Sequence, residues 1–360
     1  LRIGRTLSIH IGWQLAKWIV VMFAIFIFLM IVFDFTQLAP WIGSAGFDFK
    51  TAVAVSALRG PGLAESMLPF AVLFAAMAAF FQLNRRLEFT VTRAAGVSAW
   101  QILVPATIVA LVTGLLAATL YNPGAAALRE WSVSVGGFGG GNSGFTNGGE
   151  VWLSQSGNDG PSIIGAARTA EGGTVLANVT AFQFNDDGTL RRRVDATRAR
   201  LVDHEWVFER PVVTELGQAP RPVEEFSIHT NLSLAQIRES LADPATLSFW
   251  RLPGLIQASA ASSLPANDLR LRWQELLSLP LLLVAMILIG AVVSLRFSRT
   301  LTVGRLIVAG VTLGFVLYFL LVVSKDLGRG GVLSPVVAAW APVLLAMLAS
   351  ASVLLREEDG

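Results

Sequence analysis

The stretch Pro280–Val293, PLLLVAMILIGAVV, lies inside a longer uncharged run from Leu276 to Leu295, and its reading decides the fold. Twenty apolar residues in helix cross the roughly 30 Å hydrocarbon core of a bilayer, and this run shows no polar face of the kind a soluble core helix carries. Working outward, two more runs follow it, Leu306–Ser324 and Val332–Leu355. Three precede it at the other end of the chain: Ile11–Phe33, Ser66–Asn84 and Ala99–Tyr121. Lys17 interrupts the first of these near its end, where a lysine snorkels to the interface. Pro69, Pro105, Pro280 and Pro342 sit in or near spans, as bilayer helices allow. Gly290, Gly310 and Gly314 are expected to let helices approach closely.

Composition agrees. Of 360 residues, 54% are hydrophobic and only 14% charged, well below the quarter or so typical of soluble domains. The net charge of +2 with scattered basic residues argues against nucleic acid as a partner. The absence of cysteine excludes a disulfide framework, a thiolate metal site and a cysteine nucleophile. The first apolar stretch is long enough to span and has no small-residue cleavage site after it, so it reads as a span and not as a signal peptide.

Between the third and fourth spans the pattern changes to short alternating runs. Val151–Gln155, Pro161–Thr169, Thr174–Asn185, Thr189–Val202 and His204–Thr214 read as strands, with Asp187–Gly188 as a hairpin turn. The turn spacing suggests a sandwich or barrel-like β fold. Gly136–Gly149 lacks the following helix and the Lys-Ser/Thr of a phosphate loop and reads as a connection. Helical pieces at Leu232–Ala242 and Arg251–Ser262 lead back to the membrane. The domains expected are 1–130 with three spans, 131–265 with the β domain and its helical return, and 266–360 with three spans.

Basic residues set the orientation. Arg2, Arg5, Lys17, Arg85, Arg86, Arg93, Arg296, Arg299, Arg305 and Arg356 fall on one side. The opposite short loops hold Lys50, Arg59, Lys325 and Arg329 beside Asp34, Asp48, Glu65 and Asp326. Both termini are therefore expected in the cytoplasm and the middle domain outside.

Chemistry is sparse. No GxxxxGK[ST] is present, so the chain is not expected to hydrolyse ATP itself. The acids Asp34, Glu65, Glu275 and Asp326 lie at span ends, which does not suit a proton relay, and Asp34 and Glu275 read as interfacial. His10, His204 and His229 lack metal-ligand spacing, and no catalytic constellation or cofactor motif is found. The loop Asn84–Ile102, NRRLEFTVTRAAGVSAWQI, is more informative. Leu87, Val91 and Ala94–Ala95 recur at helical spacing beside Glu88, Thr92 and Arg93. Spacing alone leaves two readings, a helix that docks in a groove of a soluble partner and a helix lying on lipid headgroups.

Three segments together resemble the LptF/LptG permease family of the lipopolysaccharide exporter, over nearly the whole chain. LPFAVLFAAMAAFFQLNRRLEFTVTRAAGVSAWQI (68–102) resembles its second span and cytoplasmic coupling helix. TAFQFNDDGTLRRRVDATRARLVDHEWVFERPVV (180–213) resembles its periplasmic β-jellyroll. LRWQELLSLPLLLVAMILIGAVVSLRFSR (271–299) and AAWAPVLLAMLASASVLLREEDG (338–360) resemble the G-type member. The resemblance implies an inner-membrane permease that pairs with an LptF-like homologue over two copies of an LptB-like ATPase. It would take lipopolysaccharide from the membrane through gates at the first and fifth spans. It would then pass the lipid through its jellyroll toward LptC-like and LptA-like bridge proteins.

Within that resemblance, Arg86, Glu88, Arg93 and Gly96 belong to the coupling element, with Glu88 at the family's acidic position. An amphiphile with phosphorylated sugars and many acyl chains calls for apolar wall and a cationic rim. Phe26, Met67, Phe70, Phe315 and Phe319 are candidate wall. Lys50, Arg59, Arg129, Arg270, Arg272, Lys325 and Arg329 are candidate rim, with Arg129 where family members carry a basic residue after the third span. The sequence departs from the family at Val32–Pro40, VFDFTQLAP, where Asp34 stands in place of the usual lysines. Two other readings remain at this point. A mechanotransmission-type permease has four spans per chain, and a membrane-anchored periplasmic binding or signalling module would tolerate Glu88→Lys.

Overall fold

Apolar runs of this length leave the backbone no partner but itself, and the computed structural model closes them into helices. It describes residues 4–43, 48–135, 151–157, 160–170, 174–185, 189–202, 204–215, 217–230, 247–261, 266–297 and 303–359. They divide into a helical unit, Leu1–Arg129 with Pro244–Gly360, and a second unit, Glu130–Asp243.

The helical unit starts with α1 (Arg5–Leu38). Then come α2 (Phe49–Ala64), a 3-10 turn Glu65–Met67, and α3 (Leu68–Arg85). A short α4 (Glu88–Ala94) precedes α5 (Ala99–Leu116), which runs through a π turn, Ala117–Tyr121, into α6 (Asn122–Val135). After the second unit come α7 (Leu252–Ala261), α8 (Asn267–Phe297), α9 (Val303–Arg329) and α10 (Pro335–Asp359). Among the described residues, six helical segments are long and apolar enough to cross a membrane: Arg5–Leu38, Phe49–Arg85, Trp100–Ser132, Asn267–Ser294, Val308–Arg329 and Pro335–Arg356.

The first two extend furthest beyond the apolar runs read from the sequence. The second begins at Phe49, because Asp48 caps it by accepting the Thr51 amide at 2.8 Å, and it absorbs Lys50, Arg59 and Pro61. The first continues to Leu38 because Asp34 is buried within it.

α8 is the hub. In its most apolar window 89% is buried, against 11% in α1 and 22% in α9. Leu283, Met286, Ile287, Ala291 and Val293 are buried there in one core with Leu73, Ala75, Ala76 and Phe80 of α3. Gly290 makes that contact close: a Cβ there would stand 2.8 Å from that of Ala76. Gly310 and Gly314 of α9 meet the Met77 and Leu73 side chains of α3, the close approach expected of them. Gly114 of α5 lies directly on the Pro280 backbone of α8, the tightest crossing of the two helices' main chains.

The second unit is an antiparallel sheet of β1 (Val151–Gly157), β2 (Gly160–Ala170), β3 (Val175–Phe184), β4 (Leu190–Val202), β5 (Glu205–Glu209), β6 (Val212–Glu215), β7 (Arg221–Pro222) and β8 (Glu225–His229). Strands pair in chain order from β1 to β5, with β8 beyond β5. His204–Thr214, expected as one strand, is divided into β5 and β6 at Arg210 (φ 49°) and Pro211. Both pieces keep one register on β4, Leu201 opposite Trp206 and Val194 opposite Val213. β7 and β8 likewise continue one register along β6 and β5.

The interruption is one point on a crease that crosses the sheet. It passes Ala167, Asn178 (φ 50°), Thr197 and Arg210, positions opposite one another and missing from the ladders on either side. The inward-facing positions change parity there: Leu176 then Val179 in β3, Ala196 then Ala199 in β4. The crease therefore turns the same strands into two layers whose apolar faces share one core, including Leu153, Ile164, Trp206, Phe208 and Ile228. Gly136–Gly149, Asp187–Gly188 and Leu232–Ala242 lie outside the described residues.

Candidate functional site

Two places in the helical unit gather the residues singled out in the sequence. The first is the turn from α3 to α5. α3 closes with the Arg86 and Leu87 amides donating to Gln82 (3.1 Å) and Asn84 (3.0 Å) carbonyls, and Leu87 takes a left-handed φ of 59°. That reversal starts α4 at Glu88. The helix stops at Gly96, whose φ of 82° suits only glycine, while the Gly96 and Val97 amides donate to Arg93 (2.9 Å) and Thr92 (3.3 Å) carbonyls.

Phe89, Val97 and Trp100 pack on the main helical core and anchor this element. Leu87 and Val91 point away, 62% and 66% exposed. Beside them the Glu88 carboxylate lies 3.4 Å from Nε2 of His10 on α1 and 3.9 Å from Arg86. Arg93 is exposed on the last turn. Arg86, Glu88, Arg93 and Gly96 thus share one short element. His10, read only as a scattered histidine, joins it, and its adjacency to Glu88 had no signature in spacing.

The second place lies at the other end of the spans, where cations expected to form an open rim are largely held by acids. Arg272 of α8 donates to Glu65 at 2.7 Å and approaches Glu275, one turn on, at 3.5 Å. Lys325 of α9 meets the same Glu275 oxygen at 3.2 Å. Their side-chain exposures rank Glu65 10%, Glu275 13%, Arg272 17% and Lys325 34%, so the lysine is the accessible member.

Both helix irregularities serve this cluster. The 3-10 turn presents Glu65, and the π turn brings Tyr121 to donate to the Pro61 carbonyl at 2.7 Å. Asn122 then donates to both Glu65 oxygens (3.0 and 3.2 Å) and accepts the Phe249 amide at 2.7 Å.

Arg59 pairs with buried Asp34 at 3.7 Å, and Arg129 adds its charge to the Asp34 site. Lys50 and Arg270 are exposed, and Arg329 lies 3.9 Å from Asp326 on the same helix. Phe315 and Phe319 face away from the bundle on α9, 62% and 58% exposed. Phe70 instead packs on Tyr318, with centroids 5.5 Å apart, and Phe26 stacks on Phe74 at 6.3 Å. Asp34 and Glu275, read as interfacial acids, are both ion-paired, Asp34 to Arg59, and Glu275 to Arg272 one turn away and to Lys325 of α9.

The arrangement offers a soluble partner an apolar-and-acidic knob at one end, and an amphiphile a mostly neutralised cationic cluster beside an exposed apolar helix at the other. No curated protein matches the chain. Residues 9–356 match the family model described as lipopolysaccharide export system permease LptF/LptG, and the chain belongs to that family of non-catalytic ABC-transporter permease subunits.

Proposed function

We propose that this chain is the G-type permease of the exporter, paired with an LptF-like subunit above two LptB-like ATPases. Its termini and α4 face the cytoplasm, and residues 131–265 form the exported domain and its return, in the periplasm. The basic residues that flank α1, α3, α8 and α10 on one side support that orientation.

The observation that carries the coupling role is α4 itself. A seven-residue helix anchored by Phe89 holds Leu87 and Val91 out to solvent on either side of Glu88. Such a knob fits a groove in a soluble partner. Arg86, Glu88 and Arg93 contact the ATPase, and Gly96 fixes the turn that aims them. At the periplasmic end, lipopolysaccharide is met by Lys50, Arg270, Lys325 and Arg329, with Arg59, Arg129 and Arg272 shaping the field around them. Phe315 and Phe319 give its acyl chains an apolar flank on the fifth span. The lipid then moves by way of the β domain to LptC-like and LptA-like bridge proteins.

Co-purification of the tagged chain from its native membrane tests the reading. A stoichiometric ATPase, a second six-span subunit and bound lipopolysaccharide are expected. Recovery of the chain alone from membranes whose other complexes survive extraction would refute it.

A further inference from the structure

Only 22% of the most apolar window of α9 is buried, and among the described residues its one ion pair to another helix is Lys325–Glu275. Ser324 ties the same end to α10, donating to the Ala338 carbonyl at 2.8 Å. Glu275 has a second cation at hand, Arg272 at 3.5 Å, which Glu65 already orients from the far side. Lys325 is the only one of the four charged groups with a third of its side chain open. It also lies on the helix whose outward face carries Phe319, Leu320, Val323 and Leu327. An amphiphile resting its chains on that face brings its headgroup to Lys325.

We propose that Lys325–Glu275 is a latch operated by a lipid phosphate: the phosphate takes Lys325, Glu275 falls back on Arg272, and the outer end of α9 is released from α8. This rests on the exporter reading above and adds to it a trigger. Exchange is favourable in kind because a phosphate brings up to two charges and three acceptor oxygens to a point-charge donor. The carboxylate it displaces keeps a guanidinium partner, so no buried charge is orphaned. A lipid lacking phosphate would lie on the same apolar face without opening the latch. The device therefore sorts for phosphorylated lipid before any ATP is used.

The chain has no cysteine, so Leu277→Cys on α8 and Leu327→Cys on α9, both exposed, place two spin labels at unique sites in it. The measurement is the distance between them in the purified export complex in nanodiscs. Bisphosphorylated lipid A is expected to move the distribution outward, whereas the same lipid stripped of phosphate is not. Glu275→Gln is expected to adopt the outward distribution without lipid and to bind lipid A about fivefold tighter, having lost a competitor for Lys325. Lys325→Met is expected to be outward as well, but with affinity no longer dependent on the phosphates. That contrast separates the latch from a general loosening of the fold, which would affect both variants alike.

Equal opening by dephosphorylated lipid, or a Glu275→Gln distribution identical to that of the parent, overturns the latch. Opening by millimolar inorganic phosphate alone overturns the lipid assignment. If lipopolysaccharide binds the parent but α9 ignores Glu275→Gln, the latch alone fails. If the parent binds no lipopolysaccharide, the exporter reading fails with it.

Discussion

Replacing Arg272 by methionine removes the central cation of the Glu65–Arg272–Glu275–Lys325 cluster while keeping an unbranched side chain in helix α8. Arg272 bridges Glu65 at 2.7 Å and Glu275 at 3.5 Å, with all three side chains at most 17% exposed. Breaking a buried pair from one side costs about 3–5 kcal/mol, most of it the penalty of an unmatched charge. Here Glu65 keeps two hydrogen bonds from Asn122 and Glu275 keeps Lys325, so the expected loss is at the lower end, about 3 kcal/mol. The second half of the expectation is recovery. Arg272→Met with Glu65→Gln leaves no orphaned charge, and Gln still accepts from Asn122, so at least half of the loss should return. Unfolding free energies in mixed micelles titrated with SDS provide the measurement. Asp326→Asn, which touches only an exposed 3.9 Å pair, serves as the control with a change under about 0.5 kcal/mol. A single variant within 0.5 kcal/mol of the parent, or a double variant no better than the single, would refute the reasoning.

Other expectations concern separate parts of the chain. Gly114→Ala drives a Cβ into the Pro280 main chain, whose nitrogen would lie 2.9 Å away, so α5 and α8 must part. A loss of about 2–3 kcal/mol is expected in the same SDS titration. Glu88→Lys, or Leu87→Ser with Val91→Ser, should leave the unfolding curve in place yet cut the ATPase recovered in pull-downs at least tenfold; full recovery would rule out α4 as the docking element. Arg210→Gly relieves a left-handed residue and should stabilise the β domain by up to about 1 kcal/mol, while Asn178→Val should destabilise it by at least as much, read by protease resistance. Thr51 donates from its side chain and amide to Asp48 and holds that carboxyl below its ordinary range. The α2 cap should accordingly be intact above the ordinary carboxylate range and fade as pH falls through the lowered value. Asp48→Asn should remove that acid limb from the thermal unfolding profile.

The spans were legible because a bilayer helix announces itself by local composition alone. Leu276–Leu295 needed no knowledge of its neighbours to be read. The outer ends of the first two spans were less legible. Asp34 belongs inside α1 only because Arg59 arrives beside it from α2, and no window of sequence contains both the helix and the crossing that pairs them. The same holds for Arg272 and Glu65, partners separated by 207 residues. Charge type was visible there, but charge pairing depends on tertiary geometry. The short helix around Glu88 was legible because an amphipathic turn is a local device, whereas Gly96 entered only with the family resemblance. The break at Arg210 carried a warning in Pro211, since proline inside a strand pattern demotes it. What the warning did not convey was that Asn178 and Thr197 bend at the same level, which follows from register and not from any one strand.

The creased sheet has a consequence for how the β domain reaches its structure. Every ladder from β1 through β5 joins strands adjacent in the chain, so each of these five described strands can pair as soon as the next has formed. Contacts of short sequence separation close quickly and need little loop entropy. A segment released stepwise during synthesis can therefore add one hairpin at a time onto a growing edge. The bend at Asn178, Thr197 and Arg210 brings the second layer down only as the later strands arrive. With no cysteine, this order of assembly needs no oxidant, and the domain can be complete before the last three spans have entered the bilayer.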